Sequence, residues 1–231
     1  MSRLGQDIGL ISLYDGIVVD AYHVEPTDAR RGGLILIQEI FGVTDHIREL
    51  ADGFAADGYE VIAPSLYDRL EPGFAADYSP EAIAKGVEYA QATPWDQVAG
   101  DLQTAIDVLT PKGKVFVTGF CWGGAATWLA ACRCDGVAAA SAFYGRRIAE
   151  LVDEVPQCPI ILHFGKTDAS IPPQSIEAIA AKHPDIPIWM YEAGHGFVSD
   201  RRSDYNEDAA KLARLRTLQL FSRSASGKGE A

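Results

Sequence analysis

An alternation that runs the length of the chain constrains its fold more than anything else. Short β-rich apolar runs are separated by stretches with helical spacing. GIVVDAYH (16–23), GLILIQ (33–38), YEVIA (59–63), KVFVT (114–118), VAAASAFYG (137–145), PIILHFG (159–165) and IPIWMYE (186–192) read as strands. GLILIQ is almost wholly apolar, which suits a central strand covered on both faces. Helical spacing fills 45–57, with Asp45 as the candidate N-cap and Gly58 as the stop, and again 80–92, 95–109, 124–132 and Asp204 to about Ser222. Helix 95–109 is expected to bury Val98, Leu102, Ala105, Ile106 and Leu109, and the last helix to present Leu212, Leu215, Leu218 and Phe221 on one face. The stretch 64–80, rich in Pro, Gly, Asp and Tyr, reads as a loop. Strands that alternate with helices run mainly parallel in one central sheet, with helices on both faces: an α/β fold.

The size agrees with one such unit. The chain has 231 residues, 48% of them hydrophobic, and no repeat, linker or charge block divides it. Residues 1–231 are therefore expected to form a single domain, with SASGKGEA (224–231) as a flexible tail. A net charge of -12 argues against nucleic acid and anionic membrane surfaces as partners, since both call for a basic footprint. MSRLGQDIGL lacks the apolar core of a signal peptide, and no run approaches the roughly eighteen apolar residues of a membrane span. A cytoplasmic monomer or small homo-oligomer is expected. The cysteines Cys121, Cys132, Cys134 and Cys158 lack the paired spacing of a zinc site or a disulfide framework, so no metal is expected.

The chemistry centres on KVFVTGFCWGGAA (114–126). Gly119-Phe120-Cys121-Trp122-Gly123 is a G-x-S-x-G nucleophile elbow with Cys in place of Ser, after an apolar strand and before a helix. So sharp a turn strains the nucleophile's dihedrals, and Gly119 and Gly123 remove side chains that would clash. The thiol is then exposed at a helix N-terminus, whose partial positive charge favours thiolate. The bland alternative is a Gly-rich turn around a buried structural cysteine.

Two further residues weigh against that alternative. Asp168 lies in GKTDASIPP, just past the strand PIILHFG, and His195 lies in EAGHGF, just past IPIWMY. Both are at the carboxyl ends of strands, where parallel-sheet sites assemble. Either alone would be unremarkable, because Asp is a common turn residue and a lone His is more often structural. The order Cys, Asp, His is that of the α/β-hydrolase triad. His23 and His46 precede the nucleophile, His163 is inside an apolar strand, and His183 precedes Pro184 at a helix end.

At this point the sequence resembles the dienelactone hydrolase (carboxymethylenebutenolidase) family over almost its whole length. The likeness is carried by QEIFG (38–42), APSLYDR (63–69), GFCWGG (119–124), FYG (143–145), the GKTD loop with IPP, and AGHGF (193–197). It implies an α/β-hydrolase fold without a large cap domain, and hydrolysis of an ester or lactone through a thioester, with no cofactor. Position by position, Cys121 matches the nucleophile, His195 the base and later acid, and Asp168 the group orienting His195. Glu39 matches the glutamate that contacts the resting thiol, and the Ile40 and Trp122 N–H groups match the oxyanion hole. Phe41, Tyr67, Phe143, Tyr144 and Phe197, with Trp122, are expected to wall the pocket. A thiolate of this kind could also attack an aryl ester or a phosphotriester as a side activity.

The chain departs from the family where substrate charge is met. The two arginines that the family uses to hold a substrate carboxylate are replaced: SPEAIAKGVEYAQ offers only Lys85, and Ser199 stands after the histidine. Arg146, Arg147, Arg201 and Arg202 are left as candidate substitutes or as solvated surface groups. Neutral esters or lactones are therefore expected to be preferred. The rival reading from another class is a catalytically silent binding protein, or a thiol redox sensor using Cys121.

Overall fold

Strands β3 (Gly32–Ile37), β4 (Tyr59–Pro64), β5 (Val115–Phe120) and β7 (Ile160–Gly165) are buried at every position, as continuous apolar runs must be when both sheet faces are covered. They form the centre of one eight-stranded sheet in the computed structural model, which describes residues 4–226. The other strands are β1 (Gln6–Ile11), β2 (Val18–Val24), β6 (Val137–Phe143) and β8 (Ile188–Tyr191). The order is β1-β2-β4-β3-β5-β6-β7-β8. From β4 to β8 every pairing is parallel, while β1 and β2 close one edge in antiparallel fashion. Chain direction across the sheet reverses between β3 and β5. That reversal opens a crevice at their carboxyl ends, which is where α/β sheets bind ligands.

Six helices cover the sheet: α1 (Asp45–Ala56), α2 (Pro80–Ala92), α3 (Trp95–Leu109), α4 (Trp122–Arg133), α5 (Pro173–Lys182) and α6 (Glu207–Ala225). The five apolar positions expected on α3 are all buried, and α4 is buried from Trp122 to Cys132. On the opposite face, Phe221 of α6 stacks on Phe116 of β5 with ring centroids 4.6 Å apart. A buried polar seam joins α6 to the same face: Thr217 and Ser141 hydroxyls lie 2.7 Å apart, and Ser141 meets His163 Nε2 at 3.1 Å. Burial and the nearby Arg216 charge pull the His163 pKa down to about 3, so it stays neutral and acts as structure.

Several local expectations need correction. β1 is absent from the sequence reading because five of its six residues are at least partly exposed, so pairing with β2 holds it rather than apolar periodicity. Asp45 is the first helical residue. Thr44 is the N-cap, accepting from the Ile47 N–H at 3.4 Å. On α6 the core stripe is Ala209, Ala213, Thr217 and Phe221, while Leu212 and Leu215 are exposed. Small residues let that helix approach the sheet closely; of the expected face, Phe221 is buried and Leu218 packs against the core. Of the tail expected over 224–231, residues 224 and 225 belong to α6, and residues 227–231 lie outside the described residues. Among the described residues, no helix is long and apolar enough to cross a membrane.

Candidate active site

The turn after β5 is as tight as its glycines suggested. Cys121 sits at φ 56° and ψ -117°, a strained region for a residue with a Cβ. A Cβ on Gly119 would lie 2.4 Å from the Gly123 carbonyl oxygen, and one on Gly123 would lie 2.3 Å from that of Gln38. Only glycine lets α4 start so close to β3 and β5. The Cys121 N–H donates to the Phe143 carbonyl at 3.0 Å, anchoring the turn to β6. Its thiol meets the positive end of α4.

Loops after β7 and β8 bring the other two residues to this thiol. His195 Nε2 is 3.2 Å from Cys121 Sγ, and its Nδ1 is 2.7 Å from Asp168 Oδ2. The Asp168 side chain is buried, and its other oxygen accepts from the Ser170 N–H at 2.8 Å and the Ser170 hydroxyl at 2.6 Å. Burial works against the Asp168 charge, but the bond from His195, its positive charge and the two bonds from Ser170 hold the carboxyl below its ordinary value. Burial likewise opposes the imidazolium. The Cys121 charge and the bonds to Asp168 and Cys121 overcome it and raise the His195 pKa to about 10. The arrangement holds His195 protonated beside the thiol.

Ile40 and Trp122 both border the cleft beside Cys121. Trp122 opens α4, so its N–H belongs to the first turn, which has no intrahelical acceptor. Helix α2 presses on the Ile40 peptide: a Cβ on Gly86 would lie 2.4 Å from the Ile40 carbonyl oxygen. Peptide N–H groups in such places beside a thiol are able to hold an oxyanion. Glu39 is buried, and burial drives its carboxyl up against the pull of Arg202 and His195. It makes no hydrogen bond to Cys121. Its Oε1 lacks a hydrogen-bond partner, and the Arg202 guanidinium is 3.8 Å away. The hydrogen bond of the thiol is with His195.

The cleft over Cys121 holds about 410 Å³. Its lining is part apolar, from Ile40, Phe41, Ile83, Val87, Ala90 and Trp122, and part polar, from Arg146, Arg147, Ser170 and Arg202. Of the expected aromatic wall only Phe41 and Trp122 reach the cleft. Tyr67, Phe143, Tyr144 and Phe197 are buried behind it. Tyr67 packs on Trp122 at 5.0 Å and Tyr144 meets the His195 ring edgewise at 5.1 Å, so they brace the site from within. Ring size made them look like pocket residues, but large apolar rings next to a loop are as readily core. Ile83 and Val87 on α2, which do line the cleft, had a signal in their four-residue spacing.

Charge is also placed differently. Lys85 pairs with Glu71 and lies over the Phe74 and Tyr89 rings, off the cleft lining. Ser199 is buried against the Tyr78 hydroxyl at 3.2 Å. Arg201 pairs with Glu49 and Asp200 away from Cys121. Arg147 is held by Glu150 and the Ala90 carbonyl. Arg146 is exposed on the cleft wall with no hydrogen-bond or ion-pair partner among the described residues. Of the four arginines left open as substitutes, Arg146, Arg147 and Arg202 line the cleft and Arg201 does not. The 3-10 turn Arg146–Glu150 delivers the first two from the loop after β6.

Burial pushes the other thiols up, to about 12 for Cys132 and Cys134 and about 11 for Cys158. Iodoacetamide at neutral pH is thus expected to label Cys121 alone, one adduct per chain by intact mass, because thiolate is the reacting form. A second adduct of equal rate would contradict this.

An eight-stranded, mostly parallel sheet with a nucleophile elbow after β5, and histidine and aspartate loops after later strands, defines an α/β-hydrolase. The chain belongs to the dienelactone hydrolase family, whose sequence profile matches residues 19–225. It is 32% identical to the carboxymethylenebutenolidase of Pseudomonas putida, covering 91% of this chain and 94% of that protein. A crystal structure from Klebsiella pneumoniae subsp. pneumoniae, provisionally named a dienelactone hydrolase, is 32% identical with a TM-score of 0.81, over 95% of this chain and 99% of that one. A dienelactone hydrolase-like promiscuous phosphotriesterase from metagenomic libraries superposes with a TM-score of 0.76 at 19% identity, over 95% and 98% of the two chains; this is a likeness of fold. The protein is a hydrolase of this family.

Proposed function

We propose that the protein cleaves a carboxylic ester or lactone by way of a thioester on Cys121. The observation that carries this reading is the continuous line from Sγ through His195 to Asp168, at 3.2 and 2.7 Å, on the floor of a half-apolar cleft. The Cys121 thiolate attacks the carbonyl carbon and the oxyanion rests on the Ile40 and Trp122 N–H groups. On collapse the carbon–oxygen ester bond breaks and the departing alkoxide takes the proton from His195 Nε2. Neutral His195 then removes a proton from water, the hydroxide attacks the thioester, and thiolate leaves. The acid is released with Cys121 and His195 again an ion pair. An aryl ester fits the same path, and a phosphotriester meets the same nucleophile at phosphorus as a side activity. Among the described residues no second cysteine lines the cleft, which speaks against a thiol redox switch there. The test is a panel of lactones and chromogenic aryl esters with the purified protein. Turnover of none of them would leave the silent binding protein as the better reading.

The polar part of the cleft lining adds a substrate feature. A carboxylate on the substrate would find Arg146, an unpaired guanidinium that binds planar anions bidentately. Arg146→Ala is expected to lower kcat/KM for a carboxylate-bearing lactone by about ten- to hundredfold, the worth of one charge-assisted hydrogen bond, and to leave a neutral aryl ester within about twofold. Equal losses on both substrates would show that Arg146 shapes the cleft without reading charge.

A further inference from the structure

Ser170 touches both of the residues that prepare Cys121, and the hydrogen-bond bookkeeping around it has one solution. Its Oγ is 2.6 Å from Asp168 Oδ1 and 2.9 Å from His195 Nδ1, while His195 Nδ1 is 2.7 Å from Asp168 Oδ2. An ionised carboxylate only accepts, so the single hydroxyl proton points to Oδ1. The oxygen then turns a lone pair to Nδ1, which must carry a proton. The Nδ1–H is thus shared between two acceptors, Asp168 Oδ2 and Ser170 Oγ.

From this geometry we infer that Ser170 is a positioning residue for the reaction, acting through His195 and resting on the ester-hydrolase reading above. Two acceptors on different sides of Nδ1–H fix the tilt of the imidazole as well as its tautomer. One acceptor alone leaves the ring free to swing about the Asp168 contact. The same hydroxyl closes the second carboxylate oxygen, so Asp168 cannot rotate away. Nε2 is thereby kept aimed at Sγ, 3.2 Å distant, both as donor in the ion pair and as acceptor when water is deprotonated. Ser170 also lines the cleft, as His195 does. The backbone contributes separately: the Ser170 N–H bond to Oδ1 at 2.8 Å does not depend on the side chain.

That separation makes the test clean, because Ser170→Ala keeps the backbone bond and the loop while removing only the hydroxyl. The expected result is a kcat for aryl ester lower by roughly ten- to hundredfold, the scale of a misaimed catalytic group, with KM within about twofold. Ser170→Thr, which restores a hydroxyl, is expected to recover most of the loss. The second readout is made on the resting protein by NMR. The His195 Nδ1–H resonance should exchange with solvent faster in Ser170→Ala and return toward wild type in Ser170→Thr. Wild-type kcat and exchange in Ser170→Ala would overturn the inference. So would a loss carried by KM that Thr fails to restore, since that is the behaviour of a merely structural loop residue. If wild type cleaves no ester, the hydrolase reading fails instead, and the NMR comparison still decides the role of Ser170.

Discussion

Cys121→Ala is expected to abolish ester hydrolysis, lowering kcat by roughly 10⁴-fold or more, because the bond-forming atom is removed and only binding and the oxyanion site remain. The fold should persist. The change deletes one sulfur from a partly exposed side chain and keeps the Cβ and the N–H bond to Phe143. In wild type, rapid quenching during turnover should trap an acyl adduct on Cys121, visible in the peptide mass. Undiminished turnover by the Ala variant would end the assignment. Cys121→Ser is also expected to lose most activity. A thiol gives up its proton far more readily than a hydroxyl, which needs the base at the moment of attack.

Asp168→Asn should cost about 10³- to 10⁴-fold in kcat while changing little volume. An amide can turn its NH₂ toward Nδ1 and so draw the imidazole into the wrong tautomer. The pH profile gives an independent check. Burial opposes the His195 charge, the Cys121 and Asp168 charges and bonds outweigh it, and the pKa stands at about 10. The protonated, acid-competent ring is present below that value and lost above it, so wild-type kcat/KM should fall as pH rises through about 10. Without the Asp168 charge that limb should move to lower pH. Stability follows the same sign. A histidine pKa raised above its unfolded value of about 6.5 contributes fully below that pH and loses its effect through about 10. The Asp168 carboxyl, which burial alone would raise but its hydrogen bonds lower, contributes above its unfolded value of about 3.9 and loses that contribution as pH falls. The melting-temperature gap between wild type and variant should therefore be widest between roughly pH 4 and 6.5. An unmoved alkaline limb would remove Asp168 from the site's electrostatics.

Alternating apolar runs were enough to define the parallel sheet and the α3 core face, because burial of a whole strand or helix face leaves its period in the residues themselves. The elbow was legible from its local pattern, since a Cβ on Gly119 would clash at 2.4 Å with the Gly123 carbonyl four residues on, whereas the Gly123 clash is with the distant Gln38 carbonyl. The strand-end loops of Asp168 and His195 were legible through their order after the elbow. What the chain did not reveal was which side of each loop faces the cleft. Tyr67, Phe143, Tyr144 and Phe197 turned into the core, α2 brought Ile83 and Val87 to the opening, and Arg146 came from the turn after β6. Ser170 lay in plain view two residues after Asp168, yet its bond to His195 spans 25 residues of sequence. Local periodicity and turn chemistry are set by neighbours along the chain, so sequence alone determined the fold class and singled out a candidate nucleophile with two candidate partners. Cleft lining, the sharing of the Nδ1 proton and the placement of the cleft arginines depend on contacts between distant segments, and only the folded sheet, by bringing its loop ends together, decided them.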